Sequence, residues 1–188
     1  MTNVGQGMVE IRSSRASADF AVVFRSAMDS FRFTTDHLPL VVITCPRRME
    51  PTDTVRFLEA YTRDVLEREG RFAVVVDATT VTEIPSALVR RHFTEWMPKV
   101  ERLGVESLVG MSMATSSAIV RGAATAIWWV VPPKIPMSTE ATLLESVDWA
   151  LAKLDASAVA IPTAVKGYRE RIAREGRTPH STGVDPYR

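Results

Sequence analysis

Hydrophobic and polar positions change period several times along this chain, and each change predicts an element. Phe31 and Phe33 alternate with Arg32 and Thr34, the two-residue period of a half-buried strand. Asp36 and His37 supply a turn, and residues 38–45 then form an apolar strand ended by Pro46, so the two strands read as a hairpin. Pro51, Thr52 and Asp53 open a helix whose Phe57, Leu58, Tyr61, Val65 and Leu66 share one face, with Gly70 as its expected stop. Residues 72–76 (FAVVV) show no alternation, which predicts a strand buried on both faces. A loop at 79–85 precedes a second helix carrying Leu88, Val89, Phe93, Trp96, Met97, Val100 and Leu103 as its stripe, up to Gly104. A strand is expected at 105–113. Thr115, Ser116 and Ser117 offer caps to a third helix running to Trp129, and a short strand follows at 135–138. Thr142 and Glu145 match the T-x-x-E capping box of a fourth helix.

The resulting order, two strands and then helix and strand in alternation, predicts an α/β sheet of about four or five strands. The sheet is expected to be mostly parallel, with an N-terminal hairpin and right-handed crossovers. The division expected is a leader at 1–18, one α/β domain at 19–156, an amphipathic tail helix at 157–175 and a loose end at 176–188. The tail helix is drawn from Ile161, Val165, Tyr168 and Ile172 at helical spacing, although Gly167 weakens it. The short apolar run at 20–24 fits either an edge strand or a helical turn.

Composition narrows the function. The 188 residues carry 23 basic and 22 acidic side chains, so the clustered surplus of base that nucleic acid requires is missing. One cysteine excludes a disulfide framework, and three histidines leave little for metal or triad chemistry. The first dozen residues lack a signal-peptide pattern, and the most apolar run, 118–131, is interrupted by Arg121 and is too short for a bilayer span. A cytoplasmic protein is expected, with no cofactor or metal.

Candidate chemistry is sparse. Cys45, at the end of an apolar strand, reads as a small buried hydrophobe before it reads as a nucleophile. His92 and Glu95 are spaced for two metal ligands without an evident third. His37 in its turn and His180 in the tail are expected to be exposed. Asp77 ends a buried strand, the edge where α/β proteins gather ligands, so Asp77 with Thr79 and Thr80 is a candidate partner-binding group. The plainer reading is that Asp77 shapes the turn. The third helix is apolar nearly all round, and adjacent helical residues point about 100° apart, so Trp128 and Trp129 cannot face one core. Together with Pro132 and Pro133 they mark a candidate docking face. Cover by the tail helix, or a second copy of the chain, satisfies the same physics.

The strings LPLVVITCP (38–46), RFAVVVDATTV (71–81) and LVGMSMATSSAIVRGAATAIWWVVPPKIPMSTEATLLESVDWAL (108–151), in this order of elements, resemble the STAS family, the anti-sigma-factor antagonist fold, and most of all its bacterial STAS-like proteins. The resemblance covers roughly residues 31–154. It implies a phosphorylatable serine at the start of the second helix, and Ser86 falls on that position. The motif departs from the family's D-S-S-G: Pro85 replaces the Asp, and Ala87 and Leu88 replace Ser-Gly. A plain helix cap is the simpler role for Ser86.

The function expected from the sequence is therefore a non-enzymatic, regulatory STAS-like module. It docks a protein partner or itself, as a homodimer, through the loop before Ser86 and the third helix. The alternative is a carrier or sensor of a small apolar ligand or lipid, because the methionines are many and the fold also looks like a reduced CRAL-TRIO-like lipid-transfer domain. A hydrolase built on Asp77 and its threonines is the weaker third reading, since no base or oxyanion constellation accompanies it.

Overall fold

The computed structural model describes residues 30–104, 106–130 and 132–176. The leader, the run at 20–24 and the loose C-terminal end with His180 lie outside these residues. The chain is α/β. Five strands, β1 (Arg32–Thr34), β2 (Leu40–Thr44), β3 (Phe72–Asp77), β4 (Leu108–Ala114) and β5 (Met137–Glu140), form one sheet in the order β1-β2-β3-β4-β5. β1 and β2 pair antiparallel, and every later neighbour is parallel.

That sequential order decides where the helices go. Each crossover steps one strand in the same direction, and right-handed crossovers then place their helices on one face of the sheet. α1 (Pro51–Tyr61), α2 (Ala87–Gly104) and α3 (Ala118–Val130) occupy that face, and α4 (Leu143–Ala156) and α5 (Thr163–Glu175) occupy the other. β3 serves both layers. Phe72 and Val74 enter the core under α1 and α2, while Ala73 and Val75 enter the core under α4 and α5. This is why the FAVVV run has no polar member.

Several boundaries differ from the periodicity. α1 continues as one π-helical turn, Thr62–Leu66, and stops at Glu67, so Gly70 is not its cap. Gly70 instead takes φ +97° in the turn into β3, a conformation that costs other residues more. β4 starts at Leu108, after a turn in which the Ser107 N–H donates to the Gly104 carbonyl. β5 runs from Met137, two residues later than its apolar pattern indicates, because it pairs with Met111–Ala114 as the edge strand.

The tail helix docks, but not on α3. Val165 and Tyr168 are buried against α4 and the β2–β3 face, with Ile161 and Ile172 at the margin. Two such burials contribute about 1.5–3 kcal/mol each, more than the roughly 1 kcal/mol that Gly167 costs the helix. Arg169 donates two bonds to Asp148, 2.5 and 3.0 Å, and pins α5 to α4. His37 is not a free turn residue: its ring lies 4.4 Å from that of Tyr168 and its Nδ1 is enclosed without a partner. Among the described residues no helix is long and apolar enough to cross a membrane.

Candidate apolar binding site

The residues singled out in the sequence fall into two groups at opposite edges of the sheet. Asp77 ends β3, and its Oδ1 accepts from the Thr79 N–H at 3.1 Å and the Thr79 hydroxyl at 2.6 Å. Thr80 Oγ1 donates to the Cys45 carbonyl at 3.4 Å, tying the loop to the end of β2. Ser86 is exposed and caps α2, its Oγ accepting from the Val89 N–H at 3.2 Å. All four belong to the carboxyl edge of the parallel strands. α3 begins at the same edge, where Ser117 Oγ accepts from the Val120 N–H.

Thirteen residues carry α3 about 20 Å to the opposite edge. Trp129 stands there 82% exposed, followed by exposed Pro132 and half-buried Pro133. The side chain of Trp128 lies outside the described set. The exposed apolar residues that flank Ser86 in the chain are instead Ile84 and Leu88, and Ile119, 62% exposed, stands in the first turn of α3. His92 and Glu95 line a cleft between α1 and α2, with Glu95 paired to Arg91 at 3.3 Å. Among the described residues no group of three or more His, Cys, Asp or Glu is arranged to hold a metal ion.

Sequence reasoning missed a cavity of about 140 Å³ between the sheet and the α2–α3 pair. Its floor is the sheet face that carries Ile43, Val76, Met111, Met113 and Met137. α1 and α2 wall it with Phe57, Phe93, Trp96 and Met97, and Phe31 joins the lining. Phe31 stacks on Phe57 at 4.5 Å and meets Phe93 edge-on at 6.3 Å. The roof is α3, which offers only Val120, Ala123 and Ala124. The space exists because α3 keeps its nearest helical contact with α2 and presents alanines to the sheet. A helix carrying Leu at those positions would fill it.

The lining is almost wholly apolar, for reasons that can be traced. Trp96 sends its indole N–H away to Thr62 Oγ1 at 2.9 Å, and that hydroxyl donates to the Leu58 carbonyl at 2.7 Å. Cys45 contributes its thiol to the wall, and burial, aided by the Asp77 charge, pushes its pKa up to about 12. A thiol held neutral in this way behaves as a small hydrophobe and not as a nucleophile. Five methionines, Met49, Met97, Met111, Met113 and Met137, line one space although they come from a loop, a helix and two strands. The count of eight methionines was the available signal, but nothing in the chain order brings these five together. Arranged so, the site, partly open to solvent, can hold a small apolar body; among the described residues its lining presents no acid, base or anion.

No known family, curated protein or solved structure matches the chain.

Proposed function

We propose that this protein is a non-catalytic, cytoplasmic, STAS-like module that binds a small apolar molecule between its sheet and α3. The observation that carries the reading is the methionine-lined cavity under an alanine roof. A well-packed interior leaves few voids larger than a water molecule, and an apolar space of this size accepts small apolar guests. Methionine suits such a site, since its flexible thioether adapts to the guest. Among the described residues the lining holds no acid or base, which favours carriage or sensing over conversion, because general acid–base work needs a positioned proton carrier. Asp77, the acid with the best address, spends one carboxylate oxygen on Thr79 twice over.

The test is saturable uptake of small apolar probes. Toluene, n-heptane and xenon are titrated against the native chain and against Ala124→Leu, whose longer side chain enters the roof of the cavity. At least one probe is expected to raise the melting temperature of the native chain, by up to about 2.7 kcal/mol of stabilisation at a hundredfold excess over Kd. Ala124→Leu, which fills an existing space, keeps its stability and loses the response. A native chain indifferent to all three probes overturns the reading.

A second reading keeps the docking role. The exposure of Trp129 and Ile119 on α3 favours a protein partner or a second copy lying along that helix. Both readings fit one molecule, since α3 roofs the cavity with its inner side and exposes Ile119 and Trp129 on its outer side.

A further inference from the structure

We infer that the cavity takes a compact, uncharged molecule built on a single aromatic ring in preference to an alkyl chain, an inference that rests on the reading of the cavity as a binding site. Size sets the first limit. A volume near 140 Å³ is close to the roughly 150 Å³ apolar cavity that accepts benzene, and below the roughly 300–1,000 Å³ that larger ligands occupy. A long lipid tail would extend beyond it into solvent. The wall chemistry sets the second. Met49, Met97, Met111, Met113 and Met137 surround the space, and Phe93 adds a ring to one side. Thioether sulfur is polarisable and attracted to the edge of an aromatic ring at about 5 Å, a contact that a saturated chain does not offer. The layer geometry is the third. A sheet floor and a helix roof of alanines bound a slot, into which a flat ring slides with less loss of freedom than a flexible chain. The lining leaves a charge or an unpaired hydroxyl without a partner, which is why the guest is uncharged.

Toluene and n-heptane separate the alternatives, because they share a carbon number while heptane has more surface to withdraw from water. A cavity that selects on hydrophobicity alone prefers heptane. Binding is measured by ligand-observed NMR on the full chain, with the native protein and a Met111→Leu/Met137→Leu double variant that keeps volume and removes two sulfurs. Toluene is expected to bind the native chain about tenfold more tightly than heptane. The double variant narrows that ratio to about threefold or less while heptane affinity holds. Heptane binding as tightly as toluene overturns the aromatic preference and leaves the apolar-ligand reading standing. A double variant that weakens both probes in parallel also overturns it. Absence of binding by either probe to the folded native chain overturns both. If the double variant does not fold, the ratio of the two probes on the native chain decides alone.

Discussion

His37 stands between two influences that lower its pKa, burial and Arg171, and one that raises it, Asp36. Its ring lies tilted against that of Tyr168, the Arg171 guanidinium sits 5.1 Å from the Tyr168 ring, and Asp36 precedes it in the chain. Burial lowers its pKa below 6.5; Asp36 opposes that shift and Arg171 reinforces it. The enclosed Nδ1 accounts for the direction, since the imidazolium has to place an N–H there without an acceptor. The sign of the stability effect follows. Below pH 6.5 the unfolded chain binds a proton that the folded chain resists, so stability falls as pH drops through 6.5 toward the lower folded value. His37→Asn removes this part of the slope. Urea unfolding of both proteins at about pH 7.5 and pH 5 is expected to show a smaller acid loss for the variant; equal losses would sink the assignment. Nothing near His37 in the sequence announces this behaviour. The turn residues around it were legible, but its environment is made by Tyr168 and Arg171 on a helix at the far end of the chain.

Elements held by local rules were read best. Thr142 and Glu145 form the full capping box of α4: the Glu145 N–H donates to Thr142 Oγ1 at 3.2 Å, and the Thr142 N–H donates to Glu145 Oε2 at 2.9 Å. Because the threonine is exposed, its loss removes the cap and little packing. Thr142→Ala is therefore expected to cost about 1 kcal/mol, and Thr142→Ser to restore most of it. Thermal unfolding of the two variants checks this, and an Ala variant as stable as the native chain would refute it. α4 was legible because its signals lie within four residues. The register of β4 was not. Phe72 pairs with Leu108 and Ala73 with Gly110, so a bulge turns both Val109 and Gly110 toward α4. A Cβ on Gly110 would lie 2.9 Å from the Trp149 ring, a close approach that glycine alone permits without a shift. Glycine in a strand signals such a bulge only when its cross-layer partner is known, and Trp149 is a helix away. The same limit hid the cavity: each methionine looks like ordinary core filling until α3 is seen to roof it with alanine.

At the scale of the molecule, the sheet is covered unequally. α4 lies closely along β3 and β4 with α5 packed beside it, whereas α3 stays beside α2 and turns its other side to solvent. The tail helix, one of the covers weighed for α3 from sequence, is committed to the opposite face through Val165, Tyr168 and the Arg169–Asp148 pair. That leaves α3 with Ile119 at its start and Trp129 near its end, exposed and separated by Gly122 and Ala126, both exposed and small. Large ends around a small middle suit an antiparallel pair, in which each Trp129 meets the Ile119 of a second copy and the backbones approach at the glycine. A face about 20 Å long covers less than the roughly 800 Å² per partner of a stable interface, so the association is expected to be weak and dependent on concentration. Sedimentation of the native chain across a wide concentration range should show a mass rising above 20.8 kDa. Trp129→Ser should hold the mass at one chain, because it removes the largest exposed apolar side chain among the described residues of that helix. The cavity lies beneath Val120, Ala123 and Ala124, on the inner side of α3, so the same variant is expected to keep its response to apolar probes. A native chain that stays monomeric at every concentration, or a Trp129→Ser variant that associates as before, would remove the second copy as the occupant of this face and leave the cavity as the site of function.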